Sequence, residues 1–350
     1  MSATLDIAGR LVGPGYPCYV IAEAGVNHNG RLSLAKKLVD VAAEAGADAV
    51  KFQTFQADRV ATSVAPKAAY QHETTDPNES QLDMLRKLEL SESDHRELIK
   101  YCQRRNIQFL STPYDEQAVD LLAKLRLPAF KVGSGEIVNH PLLRFIAAKN
   151  RPIILSTGTT YLSEVDEAVR VIQENGSAPL ALLHCVSRYP ANPATMNIRA
   201  VETMARAFRI PVGLSDHTLG NEVSFAAVAL GASIIEKHFT LDRDLVGPDH
   251  RASLEPDELA DLVIGIRKIE SAMGNGIKRP HASESEGRKL GYRGLVAMRP
   301  LEPGHVVEQQ DLRALRTGHG ISVRDIGWVV GRRLARPVQV GQAICSEDLM

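Results

Sequence analysis

The sequence predicts a (β/α)8 barrel followed by a small, mostly β module. Three observations predict it. A unit of short apolar strand, polar or glycine-rich end and helical segment recurs eight times before Gly274. The strands are near-continuously apolar, as strands covered on both faces of a parallel sheet must be. After Gly274 the pattern changes to short apolar pieces separated by turns. Eight units in about 260 residues match the size of a closed barrel. A doubly wound open sheet is the competing architecture. It more often carries a GxGxxG turn after its first strand, and the turn here, "AEAGVNHNG", lacks that spacing.

The expected strands, in order, are 18–25 (CYVIAEAG), 48–54 (DAVKFQT), 108–113 (QFLSTP), 129–136 (AFKVGSGE), 152–157 (PIILST), 180–185 (LALLHC), 211–217 (PVGLSDH) and 233–239 (SIIEKHF). Helical patterns follow seven of them closely, and many end in Gly or Asn, the usual C-terminal stop. Strand two instead runs into a long polar insertion over 55–92. The barrel domain is assigned to 1–280, a linker to 281–292 and the small module to 293–350. A module of about 60 residues buries little core alone and is expected to pack on a barrel.

Composition sets further bounds. The chain has 350 residues, 44% hydrophobic and 24% charged, with a net charge of −1. No basic field attracts nucleic acid or an anionic membrane. No apolar run approaches a membrane span of about 20 residues. The N-terminus lacks the charged and apolar regions of a signal peptide. The four cysteines (Cys18, Cys102, Cys185 and Cys345) form no CxxC pair. That spacing argues against a disulfide scaffold or a structural zinc site and fits a reducing cytoplasm.

Barrel active sites lie at the C-terminal ends of the strands, and alternation selects the side chains that point inward. Lys51 and Gln53 share one face, opposite Val50 and Phe52. Glu236 and His238 share a face opposite Ile235 and Phe239, and Ser215 pairs with His217 in the same way. Other strand ends offer Glu23, then Lys131, Ser134 and Glu136, then Ser156, then Ser187 and Tyr189. Two readings of the histidines stay open on residue types alone. They are satisfied core residues, or, on strands about 4.8 Å apart, they share a divalent metal such as Mg²⁺ or Mn²⁺ with a carboxylate such as Glu23 and water. The lysines also have two readings. Lys51 and Lys131, with the serines and the glycine amides of "GSGE" and "STGTT", cradle an anion, or they pair with carboxylates, for instance Lys131 with Glu136. Cys185 is rejected as a partner of His184, because neighbours in a strand point to opposite faces.

The same strand ends carry a resemblance. "IAEAGVNHNG", "DAVKFQTF", "ESQLDMLRKLELS", "FLSTPYD", "FKVGSGEI", "HCVSRYP", "GLSDHTLG" and "EKHFTLDRDLVGPDHRASLEP" resemble the sialic acid (N-acetylneuraminate) synthase family. "RTGHGIS" and the tail around it resemble the family's C-terminal antifreeze-like module, the SAF domain. The resemblance covers nearly the whole chain. It implies a synthase that condenses phosphoenolpyruvate with an open-chain N-acetylmannosamine-type sugar and water, giving a nine-carbon 2-keto acid and phosphate by C–O cleavage. His217 and His238 would hold the divalent metal, Mn²⁺ or Mg²⁺. Lys51, Lys131, Ser134, Ser156 and Ser215 would bind phosphoenolpyruvate, with help from Ser187. Gln53, Tyr189 and Asp249 would bind the sugar. Glu23 and Glu136 are the acid/base candidates. Arg316 matches an arginine that reaches the N-acetyl group from the other subunit, which implies a domain-swapped homodimer.

N-acetylmannosamine is the preferred sugar. The alternative is 2,4-diacetamido-2,4,6-trideoxymannose, giving legionaminic acid. The pseudaminic acid branch ranks third, because it tends to lack the segment resembling "ESQLDMLRKLELS". A metal-dependent aldolase would not need the lysine and serine cluster. An ice- or glycan-binding tail fits poorly with Arg313, Arg316, Arg324, Arg332, Arg333 and Arg336.

Overall fold

The computed structural model describes residues 4–350. The chain divides into two compact units, Met1–Gly274 and Asn275–Met350. The first unit begins with two short antiparallel strands, β1 (Leu5–Ile7) and β2 (Arg10–Val12). Eight parallel strands follow: β3 (Tyr19–Gly25), β4 (Ala49–Thr54), β5 (Gln108–Pro113), β6 (Phe130–Val132), β7 (Ile153–Ser156), β8 (Leu180–Cys185), β9 (Val212–Asp216) and β10 (Ile234–His238). Their order, β5-β4-β3-β10-β9-β8-β7-β6, brings the sheet round until β5 and β6 remain as its two edges. This is a nearly closed barrel of the TIM type. At the seam, a Cβ on Gly133 would stand 3.9 Å from the Thr112 methyl.

The expected fourth strand, 129–136, is shorter than its sequence suggested. β6 ends at Val132, and Ser134–Glu136 forms a 3₁₀ turn closed by Glu136 N–H to Gly133 O at 3.1 Å. Glycine at 133 and 135 weakens the extended form. The seam therefore falls at the shortest barrel strand.

Alternation gives each strand two buried faces. The outward set, including Val20, Val50, Phe109, Leu182 and Ile235, packs under the helices in one large core. The inward set changes character along the barrel axis. Ile21 precedes Glu23, Ala49 precedes Lys51, Leu110 precedes Thr112, Ala129 precedes Lys131, Ile154 precedes Ser156 and Ile234 precedes Glu236. The lower members form a separate apolar cluster that includes Leu5, Ile7 and Val12. The β1–β2 hairpin thus seals the N-terminal end of the barrel. The hairpin leaves no period in the sequence. Its strands have three residues each, and its turn uses Ala8 at φ 53° and Gly9 at φ 86°, with Asp6 Oδ1 accepting from Gly9 N–H at 2.6 Å.

The 55–92 insertion contains three short helices. Ala57–Val60, Ala69–Thr74 and Gln81–Arg86 form helices. Met84 and Leu88 pack with Val26 and Phe55, and so fix the insertion to the loop ends beside β3 and β4.

In the second unit, β11 (Arg293–Ala297) pairs antiparallel with β12 (Leu312–Arg316). The unit has a core of its own, built from Leu295, Leu301, Val307, Val329, Leu334, Val338 and Ile344. That core is a small one, of eight buried residues in all. Two buried aspartates tie its turns: Asp311 holds Arg299 at 2.8 Å and His305 at 2.7 Å, and Asp348 holds Arg336.

Two predictions follow from packing and burial. Leu5→Ala should lower the unfolding free energy by about 2–5 kcal/mol in urea titrations, the range for a buried Leu truncation. A loss below about 0.5 kcal/mol, the size typical of surface changes, would show that the hairpin does not seal the barrel.

The second concerns acid. Burial pushes the imidazoles of His28 and His250 down to about 4. In the unfolded chain they titrate near about 6.5. Between these values the unfolded state binds protons that the folded state refuses, so stability falls as pH drops from about 6.5 to 4. His28→Asn should reduce that loss, by up to roughly 3 kcal/mol at the acid end. An unchanged pH slope in urea titrations would contradict the assignment.

Candidate active site

The inward polar layer opens into a cavity of about 370 Å³ at the C-terminal end of the barrel. Glu23, Lys51, Gln53, Lys131, Ser134, Glu136, Ser156, Ser187, Tyr189, Ser215, His217, His238 and Asp249 all line it. These are all the site residues that sequence analysis selected in the first unit. Arg316, the remaining one, lies exposed on β12 of the second unit.

The floor is a buried quartet of two lysines and two glutamates. Lys51 Nζ lies 2.8 Å from Glu23 and 3.8 Å from Glu236, and donates to Thr112 Oγ1 at 3.0 Å. Lys131 Nζ lies 3.4 Å from Glu236 and donates to Ser156 Oγ at 2.8 Å. Ser215 Oγ donates to Glu236 Oε1 at 3.1 Å. The carboxylate partner of Lys131 is thus Glu236, not Glu136. The 3₁₀ turn carries Glu136 off the strand, where it accepts from Asn139 Nδ2 at 2.7 Å.

The environment separates the two floor carboxyls. Burial pushes Glu23 well above the usual carboxylate range, against the pull of Lys51. Glu236 is equally buried, but Lys131 and Lys51 together hold it below that range. Burial also lowers Lys131. Asp249, on the loop after β10, is pushed up to about 6 by burial, opposed by His217 and by a hydrogen bond from Tyr70.

Beside the floor, Gly158 N–H donates to Ser134 Oγ at 2.9 Å. A Cβ at 158 would stand 2.3 Å from Ser187 Oγ and 2.9 Å from Ser134 Oγ. Any larger residue at 158 would force these two hydroxyls to shift.

The imidazoles of His217 and His238 face one another with ring centroids 5.4 Å apart, and Tyr189 packs on His217 at 4.1 Å. His217 Nδ1 lies 2.8 Å from Val186 O. An N–H donated there leaves Nε2 as a bare lone pair, the usual way a ligating histidine is oriented. Burial and the neighbouring His217 keep His238 neutral, and its buried Nδ1 has no hydrogen-bond partner. Burial lowers His217, but the Cys185 thiol beside it more than offsets this and raises it overall. A divalent cation held by the two imidazoles would therefore displace a proton from His217, its remaining positions belonging to water and substrate. Among the described residues, no group of three or more His, Cys, Asp or Glu is arranged as a complete metal site.

Some lining residues escaped sequence analysis. Thr112 and Cys185 follow the inward parity of Leu110 and Leu183, so the same rule could have found them. Tyr70, Met84, Leu85 and Leu88 come from the insertion, whose sequence carries no comparable signal. They form the wall above β3–β5.

The profile of the NeuB family matches residues 38–278, and that of the SAF domain matches 292–350. The chain belongs to the NeuB family. It is 50% identical over 305 residues to an N,N'-diacetyllegionaminic acid synthase of Campylobacter jejuni, covering 87% of this chain and 91% of that one. It is 44% identical to the protein of the same name from Legionella pneumophila, over 96% of both chains. A human N-acetylneuraminate-9-phosphate synthase is 35% identical, over 97% of this chain and 94% of that one. The crystal structure of an N-acetylneuraminic acid synthetase from Leptospira borgpetersenii superposes with a TM-score of 0.72 at 36% identity, covering 83% of this chain and 96% of that one. This NeuB-family chain is an enzyme of the sialic acid synthase type.

Gly158→Ala should cut kcat/KM at least about tenfold, the equivalent of ~1.4 kcal/mol, without lowering Tm. Steady-state kinetics alongside a thermal melt check this. Unchanged kinetics would show that the hydroxyl cluster is not part of the working site.

Proposed function

We propose that this NeuB-family enzyme joins phosphoenolpyruvate to an open-chain acylamino sugar aldehyde, forming a nine-carbon 2-keto acid and releasing phosphate. One observation carries the reading. Two buried lysines, bonded to Thr112 and Ser156, lie at the floor of the cavity that also holds the two facing imidazoles. A phosphate and a carboxylate need such cations, and an aldehyde needs an electrophilic partner. A simple aldolase does not use the first half of that arrangement.

In this reading, Lys51, Lys131, Ser134, Ser156 and Ser215, with Ser187, bind phosphoenolpyruvate. Its C3 attacks the aldehyde carbon, and the new alkoxide takes a proton. Water adds at C2, and the bond from C2 to the phosphate oxygen breaks. Glu23, held above the carboxylate range by burial, is able both to give and to take a proton. It is assigned to the acid/base work, with Glu136 at the opposite side of the cavity. A divalent cation, Mn²⁺ or Mg²⁺, bound by His217 and His238 would polarise the aldehyde as a Lewis acid. Gln53, Tyr189 and Asp249 orient the sugar. A homodimer in which Arg316 serves a partner's sugar belongs to the same proposal. The four cysteines are unbridged, in keeping with work in the cytoplasm.

The sugar we favour is 2,4-diacetamido-2,4,6-trideoxymannose, the legionaminic acid precursor. Two observations support it over N-acetylmannosamine, the sugar preferred from the motifs alone. The relatives at 50% and 44% identity carry the legionaminic acid name. The insertion also presents Val60, Met84, Leu85 and Leu88 to the cavity, beside Tyr70, Gln71 and Gln81, and its apolar part suits a 6-methyl and an acetamido methyl.

Phosphate release from phosphoenolpyruvate with Mn²⁺ tests the proposal. The diacetamido sugar, which carries an acetamido for the 4-hydroxyl and lacks the 6-hydroxyl, is expected to exceed N-acetylmannosamine in kcat/KM by at least about tenfold. The reverse order would make this a sialic acid synthase. Release with neither sugar, from folded metal-loaded protein, would sink the phosphoenolpyruvate assignment.

A further inference from the structure

Lys237 sits on the wrong face for a barrel strand. It shares the outward parity of Ile235 and Phe239, where the helices demand apolar side chains, yet it is 2% exposed. Its partner is Asp216, directly opposite on β9 and also buried. Lys237 Nζ donates to Asp216 Oδ2 at 2.8 Å and to Thr218 O at 2.7 Å. Asp216 Oδ1 accepts from Thr218 N–H at 2.9 Å and from Thr218 Oγ1 at 2.8 Å, and Oδ2 accepts from Ser224 Oγ at 2.7 Å. Every polar atom of the pair is occupied.

The position of this network matters more than its strength. A buried ion pair is poor evidence for stability, because desolvation offsets its attraction. The ladder between β9 and β10 ends at the pair Asp216–Lys237. His217 and His238 each come one residue later, beyond the last cross-strand register of these two strands. On their outer sides they are held separately. His217 O accepts from Ala191 N–H at 2.8 Å, and His238 stands in register with Glu23 of β3. Between them, the Asp216–Lys237 pair is the last tie. By gripping both Asp216 and Thr218, it also fixes the backbone on either side of His217.

The geometry points to Asp216 and Lys237 as a positioning pair that sets the spacing of the His217 and His238 imidazoles from outside the barrel wall. This rests on the reading that the two imidazoles hold a divalent cation.

Mn²⁺ binding to the full chain, read by electron paramagnetic resonance of the free ion, tests it alongside thermal melting. Asp216→Asn with Lys237→Met removes the tie without leaving a lone buried charge. The double variant should melt cooperatively yet bind Mn²⁺ at least tenfold more weakly than wild type. Its Mn²⁺ half-saturation for turnover should rise in parallel, with kcat at saturating metal falling less. Lys237→Arg keeps the cross-strand ion pair and should bind Mn²⁺ within threefold of wild type. Wild-type affinity in the folded double variant would overturn the inference. So would folded Lys237→Arg binding Mn²⁺ at least tenfold more weakly than wild type, a result that can be read even where the double variant fails to fold. A wild-type chain that binds no Mn²⁺ would instead overturn the two-imidazole reading, and this inference with it.

Discussion

The site depends on four charges buried side by side: Lys51, Lys131, Glu23 and Glu236. Leaving any one of them unpaired in the barrel would be costly. Together they form a neutral set, and each lysine also has a hydroxyl partner in Thr112 or Ser156. The pairing is uneven. Glu236 answers both lysines and stays ionised, whereas Glu23 has only Lys51 and is pushed upward by burial. One carboxylate therefore serves as a fixed counter-charge, and the other is free to exchange a proton. In the proposed reaction, an incoming anion would meet two cations whose local balance Glu23 is able to adjust.

That quartet is possible because of what lies beneath it. The inward residues one layer lower are apolar, and the β1–β2 hairpin closes the end. Gly213 shows how tightly this layer packs, since a Cβ there would stand 2.2 Å from Ile234 O. The quartet thus rests on an apolar layer, a medium that strengthens its charges. Above, the insertion adds Val60, Tyr70, Met84, Leu85 and Leu88 to the lining, with Gln71 and Gln81. The lining thus comes from two parts of the chain: strand ends for the floor and an inserted segment for the wall.

Much of this was legible in the sequence because a barrel strand obeys parity. Lys51 with Gln53, and Glu236 with His238, were placed inward by alternation alone, and the cavity gathers them. What escaped has physical reasons. The hairpin strands are too short to show a period, and their turn places Ala8 at positive φ. β6 is cut short by Gly133 and Gly135, which moved Glu136 off the strand and gave Lys131 to Glu236 instead. Lys237 broke the parity rule outright, because its partner Asp216 lies on a neighbouring strand and not nearby in the chain. The insertion folds as short helices that become a wall only through contact with Val26 and Phe55.

The central claim is that the lysine floor receives phosphoenolpyruvate. Equilibrium binding of phosphoenolpyruvate, without sugar, to wild type, Lys51→Met and Lys131→Met tests it most directly. The account predicts saturable binding to wild type and a loss of roughly 30-fold or more in each folded variant, as for truncating one buried charge partner. Folded lysine variants that bind phosphoenolpyruvate as wild type does would contradict it.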